Sequence, residues 1–465
     1  MPCALAALLW HAVAMAASSA HAATVITDVT IVDVVAGQNV GPRTVLIEDG
    51  RIVSIDAPGA VHAPASAQHV DGRGRFLIPG LTDMHVHLFN LSSHRAPNDW
   101  SFPLYVANGI TGIRDMRADA ASIQQVKQWR AAMESGQLIA PRVLASGIAV
   151  YGTSPADAAA DVDAAAAAGT DFIKVFSDVP AANWRAILAQ AKLRSLPVVG
   201  HVPAGVELLE AAKRGQRTSE HLTQVYEACS SSEARILGDR QGLNGEALMS
   251  RVDSQEAQVL ATFDPAVCRH AAKALAATGQ VQVPTLALAD EDTFAQNAQR
   301  EHDDRWQLLR PDEQLRWQRF VAGYTKDDPE LASRRWPIAR SIVSILHQAG
   351  VPIMAGTDSP MPGVYPGFAL QDELQLLVES GLSPMDALRA ATLEPARFLH
   401  IDDVSGSVAV GKQADLVLLD ADPTRDIRNA QRIRAVLLAG RLLTRGDLDA
   451  LLSDATRAQH PARHP

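Results

Sequence analysis

Four histidines, one lysine and one aspartate stand at or near the ends of short apolar runs, and together they could hold metal ions. His85-Val86-His87 closes the run at 76–87. The period of two in a strand turns both imidazoles to one face and offers two adjacent nitrogen ligands. Alone, such a pair is as readily two packed core histidines as a metal site. The other runs end in the same manner, with Lys174 in Ile173-Lys174-Val175, His201 after Val198-Val199-Gly200, His221 in Ser219-Glu220-His221, and Asp358 in Gly356-Thr357-Asp358. Lys174 is the most demanding of these, because an ammonium flanked by Ile and Val is disfavoured by desolvation. It either pairs with Asp358, snorkels from a strand end, or serves a site.

The segments that carry these residues alternate between strand-like and helix-like patterns. Eight strand candidates, at 76–87, 110–116, 142–150, 172–176, 197–202, 217–222, 281–288 and 352–359, are separated by helical stretches, and eight is the number that closes a barrel. Each ionisable residue then sits at the strand end where such a barrel places its site. The connections after the sixth and seventh strands are long and read as helical at 233–263 and 303–347, lengths that suit covers over a site. The alanine-rich run at 158–168 reads as a helix after Asp157.

Outside this middle, residues 24–74 alternate apolar and polar, with Asp49-Gly50 as a hairpin signal. The alternation returns at 406–411, 414–420 and 434–444. The expectation is therefore an α/β fold. A TIM-type (β/α)8 barrel spans 76–400, with helical insertions at about 223–280 and 289–350, and a small β-sandwich forms from 23–75 and 401–448.

The run Pro79-Gly80-Leu81-Thr82-Asp83-Met84-His85-Val86-His87, the Lys174 strand, His201, His221, Gly356-Thr357-Asp358 and the closing Gly411-Lys412-Gln413-Ala414-Asp415-Leu416-Val417 together resemble the amidohydrolase superfamily. The resemblance is nearest to its prolidase-like and ochratoxin-hydrolysing branch, in which the barrel lysine is carboxylated by carbon dioxide. It implies that His85, His87 and Asp358 hold one divalent metal, His201 and His221 a second, and carboxylated Lys174 bridges the two. Neutral imidazoles with carboxylates suit Zn²⁺, and a hydroxide shared by two such ions would attack the carbonyl. Asp358 would act as general base and pass the proton to the leaving nitrogen. The implied activity is hydrolysis of an amide or peptide-like bond, of the N-acyl amino acid or dipeptide type. An ester, lactone or phosphotriester is the alternative at the same centre, and a barrel kept for binding alone is a third reading.

Departures from the family pattern refine this. Deaminases of the superfamily carry a Glu three residues after the fifth-strand His, and here that position is Ala204, which argues against nucleobase deamination. Where some relatives have a His after the third strand, this chain offers Tyr151. Tyr226, shortly after His221, is a second candidate substrate contact, and packing explains either tyrosine equally well. Asp115 reads as structural and His94 as a surface residue.

The net charge of −10 over 465 residues, with scattered Lys and Arg, provides no basic stripe for nucleic acid. A small-molecule substrate is the expected partner, and a homo-oligomer is left open. The apolar run Ala4 to Ala17, followed by the A-x-A pattern Ala20-His21-Ala22, reads as a signal peptide over 1–22 and predicts an exported, periplasmic or secreted protein with no membrane segment once mature. Cys229 and Cys268 could form a disulfide in such a compartment, but the favoured reading is two buried thiols. An Arg- and aromatic-rich stretch, with Arg300, Arg305, Trp306, Arg310, Arg316, Trp317, Arg319, Phe320, Tyr324, Arg334, Arg335 and Trp336, predicts either a clamp for a carboxylate beside an apolar group or helix packing against the barrel wall.

Overall fold

The run at 76–87, expected as one strand, is broken at Gly80 into β5 (Phe76–Pro79) and β6 (Leu81–Val86), which belong to different sheets. A Cβ at Gly80 would lie 2.1 Å from Oγ1 of Thr111, so only glycine lets the chain pass this close to its neighbour. The computed structural model describes residues 22–89, 96–289, 303–323 and 329–459. The expected signal peptide up to residue 21, together with His94, Arg300 and Tyr324, lies outside them.

From β6 a parallel sheet runs in chain order through β7 (Ile110–Ala118), β8 (Arg142–Ala149), β9 (Phe172–Val175) and β10 (Val198–Gly200). Next, β11 (Thr218–Glu220) and β12 (Val281–Val283) pair in parallel. Single parallel bridges, Val198 to Gln216, Gln282 to Ile353 and Val86 to Ser359, lie between these pieces. The eighth expected strand at 352–359 forms no regular ladder. Its backbone is diverted, since the N–H groups of Thr357 and Asp358 both point at the His85 carbonyl, at 3.3 and 2.7 Å, and Asp358 adopts a φ of 66°.

Helices Ala120–Glu134, Pro155–Ala168, Ala181–Leu193 and Leu208–Lys213 alternate with the strands, as right-handed crossovers between parallel strands require. In the alanine-rich one, Ser154 accepts a hydrogen bond from the Asp157 N–H and so starts the helix earlier than the alanines do. Its buried residues Ala158, Val162 and Ala165 fall at one helical face. The long connections are helical as expected, with Gly245–Ala261 and Pro265–Ala276 after β11, and Pro311–Gly323 and Pro329–Gln348 after β12.

The two terminal segments do pair. With β1 (Thr24–Asp33), β2 (Gln38–Glu48), β3 (Arg51–Asp56), β4 (Gln68–Asp71), β13 (Leu416–Leu419), β14 (Ile433–Leu438) and β15 (Arg441–Thr444), the ladder is one continuous eight-stranded sheet. The join is β5, which pairs with β1 on one side and β13 on the other. The strand expected at 406–411 is absent, because Lys412 folds that stretch onto itself by donating to the Ser405 carbonyl at 3.1 Å and to Oγ of Ser407 at 2.6 Å. Among the described residues no helix is long and apolar enough to cross a membrane.

Cys229 and Cys268 are joined in a disulfide, which corrects the reading of two buried thiols. They meet because the Asp264 N–H donates to the Cys229 carbonyl and the Ser231 N–H to the Thr262 carbonyl, each at 2.9 Å, pinning the two helix ends together. Replacing both cysteines with serine should lower unfolding stability by about 2–4 kcal/mol. Urea denaturation of oxidised protein checks this, and identical midpoints for parent and variant would show that the bridge does not form.

Candidate active site

A chain of buried charge fixes the first histidine. Glu220, at the end of β11, accepts from Nδ1 of His85 at 2.9 Å, from Nη2 of Arg114 at 3.0 Å and from the Thr218 hydroxyl at 2.5 Å. Burial by itself would raise this carboxyl, but the Arg114 guanidinium, then His85 and Lys174, hold it well below the usual range. An ionised Glu220 makes Nδ1 of His85 the donor and leaves a lone pair on Nε2.

That lone pair faces an anion. His85 Nε2 lies 3.2 Å and His87 Nε2 2.7 Å from Oδ1 of Asp358. Yet neither His85 Nε2 nor Asp358 Oδ1 has a hydrogen-bond partner, because the approach is not aligned for one. Burial would raise the Asp358 carboxyl, and the neighbouring His87 imidazole instead holds it well below its ordinary value. A carboxylate oxygen and an imidazole lone pair at this separation repel each other unless a cation lies between them. The left-handed backbone of Asp358 costs on the order of 1–3 kcal/mol, and strain of that kind gathers at functional sites.

His221 is also left-handed, with a φ of 58°, and its Nδ1 meets the Thr285 hydroxyl at 2.7 Å. Its ring centroid is 4.6 Å from that of His85 and 4.8 Å from that of His201. Burial pushes it down to about 3, against the pull of Asp358, so the ring is neutral. His201 is held by the Ser177 hydroxyl at 2.9 Å on Nδ1, and burial followed by the Lys174 charge pushes its pKa well down. Among the described residues, His85, His221 and Asp358 offer ligand atoms within 4.8 Å of one another, a group that could hold a metal ion.

Lys174 is fully buried, and its Nζ has no hydrogen-bond partner. It neither pairs with Asp358 nor snorkels. Burial pushes its pKa down to about 8, opposed by Glu220 and Asp358, and its Nζ lies 4.9 Å from the Phe176 ring centroid. Gly200 is needed beside it, since a Cβ there would lie 2.7 Å from the Lys174 Cδ and 2.3 Å from the Val175 carbonyl oxygen.

Three buried groups were not singled out from the sequence. Besides Glu220 and Arg114, Asp83 accepts from the His85 and Thr357 N–H groups, each at 3.1 Å, and from the Thr357 hydroxyl at 2.6 Å, tying the two ligand-bearing segments together. Burial raises its pKa to about 7. The available signal was an acid two residues before His85, on the same face, and an acid directly before His221. Asp115 has the structural role expected, accepting from the Leu88 N–H at 2.9 Å and the Ser146 hydroxyl at 2.7 Å.

The two tyrosines sit apart. Tyr151 is 36% exposed and stacks on Phe176, with centroids 5.5 Å apart and planes 7° from parallel. Phe176 in turn meets the His201 ring edge-on at 5.0 Å. Tyr226 instead lines a cavity beside His221, with Met249, Val252, Leu260 and Arg335. Within the described part of the Arg-rich stretch four guanidinium groups face acids, Arg305 and Arg335 across separate elements. Arg305 binds Asp303 and Asp372, Arg310 binds Asp312, Arg316 binds Glu313 and Arg335 binds Glu256. Trp317 packs between Trp306 and Tyr365. These four cations thus each face an acid of the chain, and the aromatic residues among them pack on one another.

The sequence profile of the amidohydrolase family matches residues 76–443. Over 446 residues the chain is 26% identical to adenine deaminase 2 of Agrobacterium fabrum, covering 94% of this chain and 59% of that relative, so it spans little more than half of that protein's length. Among solved structures, a Bifidobacterium longum protein assigned as a prolidase is 25% identical with a TM-score of 0.62, covering 93% of this chain and 99% of that one. Bottromycin amidohydrolase shares the fold at 24% identity and a TM-score of 0.71, over 94% and 90% of the two chains. With the profile covering most of its length, this chain belongs to the amidohydrolase family.

Proposed function

We propose that this chain is a metal-dependent hydrolase of amide bonds, acting on an N-acyl amino acid or dipeptide. The observation that carries the proposal is the uncompensated cluster in which His85 Nε2, Asp358 Oδ1 and Lys174 Nζ are buried together without hydrogen-bond partners. Such a set suits divalent ions, Zn²⁺ for this mixture of imidazole and carboxylate. His85, His87 and Asp358 would hold one ion and His201 and His221 a second, with Lys174 between them as its carbon dioxide adduct, N6-carboxylysine. The lowered pKa of Lys174 favours the neutral amine that this carboxylation requires. When bound, two such ions make a water nucleophilic near neutral pH and polarise the scissile carbonyl.

The chain's own groups do the rest. Asp358 takes the proton of the attacking water and delivers it to the departing nitrogen. Glu220, Ser177 and Thr285 keep the His85, His201 and His221 rings turned with Nε2 inward. The cavity beside His221, with Met249, Val252 and Leu260 in its wall, provides room for an apolar part of the substrate.

A full (β/α)8 ring around this cluster is part of the proposal, supported by the parallel bridges that lie between the ladders. The prolidase assignment of the Bifidobacterium longum relative supports the choice of bond. Likeness to an adenine deaminase favours a second reading, deamination. Against it, the position three residues after His201 is the buried Ala204, which cannot carry a proton to a ring. Dialysis against a chelator should abolish turnover and Zn²⁺ should restore it, with elemental analysis giving two ions per chain. A panel of N-acyl amino acids, dipeptides, lactones, phosphotriesters and adenine identifies the bond, and full activity in metal-free protein, or adenine as the sole substrate, would defeat the reading.

A further inference from the structure

The C-terminal ends of three neighbouring strands, β7, β8 and β9, bring Arg117, Tyr151 and Phe176 together at the rim of the histidine cluster. Arg117 lies near the end of β7 with its Cζ 5.5 Å from the Phe176 ring centroid. Tyr151 stacks on the same ring, which meets His201 edge-on. The Arg117 Nε is screened from solvent and has no hydrogen-bond partner. Among the described residues its side chain forms no ion pair either. That sets it apart from Arg305, Arg316 and Arg335, each of which is held by an acid of the chain. The titratable groups around it are Lys174, whose positive form burial disfavours, and Asp178, which is exposed and acts with Arg117 on the Tyr151 hydroxyl without pairing to it.

We infer that Arg117 is the anchor for a free carboxylate on the substrate, with the Phe176 and Tyr151 rings forming the wall beside it. A guanidinium partly withdrawn from water, with no ion pair among the described residues, lacks compensation, and a carboxylate satisfies it through two parallel hydrogen bonds. The position suits the task. Parallel strands carry ligands at their C-terminal ends, and Phe176 links Arg117 to His201, so a bound carboxylate lies next to the proposed ligands without being one of them. The acid-recognising group expected on the Arg-rich helices is thereby assigned to β7.

The inference rests on the amide-hydrolase reading for the identity of the ligand, so binding is measured separately from turnover. Calorimetry with hippurate, N-acetyl-L-phenylalanine and glycyl-L-proline, each against its carboxamide, is run on the parent protein, Arg117→Met and Arg117→Lys, alongside kcat/KM and metal content. The acids should bind the parent about 10- to 100-fold more tightly than the amides, the scale of a charged hydrogen-bonded pair. Arg117→Met should erase that preference, Arg117→Lys should keep part of it, and metal content should be unchanged in both. A preference that survives Arg117→Met overturns the inference and leaves amide hydrolysis standing. So does a parent that binds acids and amides equally. Binding with the expected preference but no cleavage of any pair supports Arg117 and overturns the proposed reaction, while binding of none of the probes overturns both.

Discussion

Replacing Lys174 with alanine should cut turnover by about 10³-fold or more, the scale on which a positioned electrostatic group acts, and should lower the metal content of the purified protein. The argument is one of charge. Lys174 is fully buried with an unpartnered Nζ among neutral His201 and His221 and the carboxylates of Glu220 and Asp358. As a free amine it offers one lone pair and no negative charge. As a carbamate it becomes an anion with two oxygens. Lys174→Ala leaves a gap into which a short carboxylic acid such as propionate fits, so partial rescue by added propionate is expected. Lys174→Met fills the same space without charge, and should be equally inactive but refractory to rescue. Kinetic assays with elemental analysis decide the matter, and parent-like turnover in Lys174→Met would show that no carboxylated lysine takes part.

Asp358→Asn should depress kcat by about 10²- to 10⁴-fold, the usual contribution of a positioned acid–base group, with a smaller effect on metal content. The substitution is chosen for the backbone. Asp358 has a φ of 66°, a conformation that Asn tolerates and most other residues resist. The variant should therefore fold with its turn intact, which circular dichroism and the thermal midpoint can verify. An amide oxygen can still approach a cation but cannot accept the proton of an attacking water. Unchanged kcat in a folded Asp358→Asn protein would remove this residue from the proton transfer.

Much of the site was legible because strand geometry is local. Alternation along a strand places His85 and His87 on one side, and both meet Asp358. The same alternation turns Lys174 inward while Ile173 and Val175 face the apolar core. His221 shows the limit of that rule. It follows Glu220 directly, so a regular strand would send the two side chains to opposite faces, but a left-handed turn at His221 brings its ring to the cluster as well. Nothing in the local pattern of Ser219-Glu220-His221 announces that turn.

Residue order alone settles which residue types stand at the ends of the successive β segments, the alternation of strand and helix, and the family resemblance that these carry. These properties follow from the covalent chain, because side-chain direction and helix or strand periodicity depend only on near neighbours. Which groups compensate one another is settled by packing of the folded chain. Glu220 reaches His85 across 135 positions and Arg114 across 106, Cys229 finds Cys268 through paired helix ends, and Lys412 takes the chain at 406–411 out of the sheet. Folding likewise matches Arg305, Arg316 and Arg335 with acids, whereas Arg117, a single residue on β7, has none among the described residues. A buried charge takes whichever partner the packed fold brings within reach, and sequence spacing carries no record of distances that close only when the chain folds.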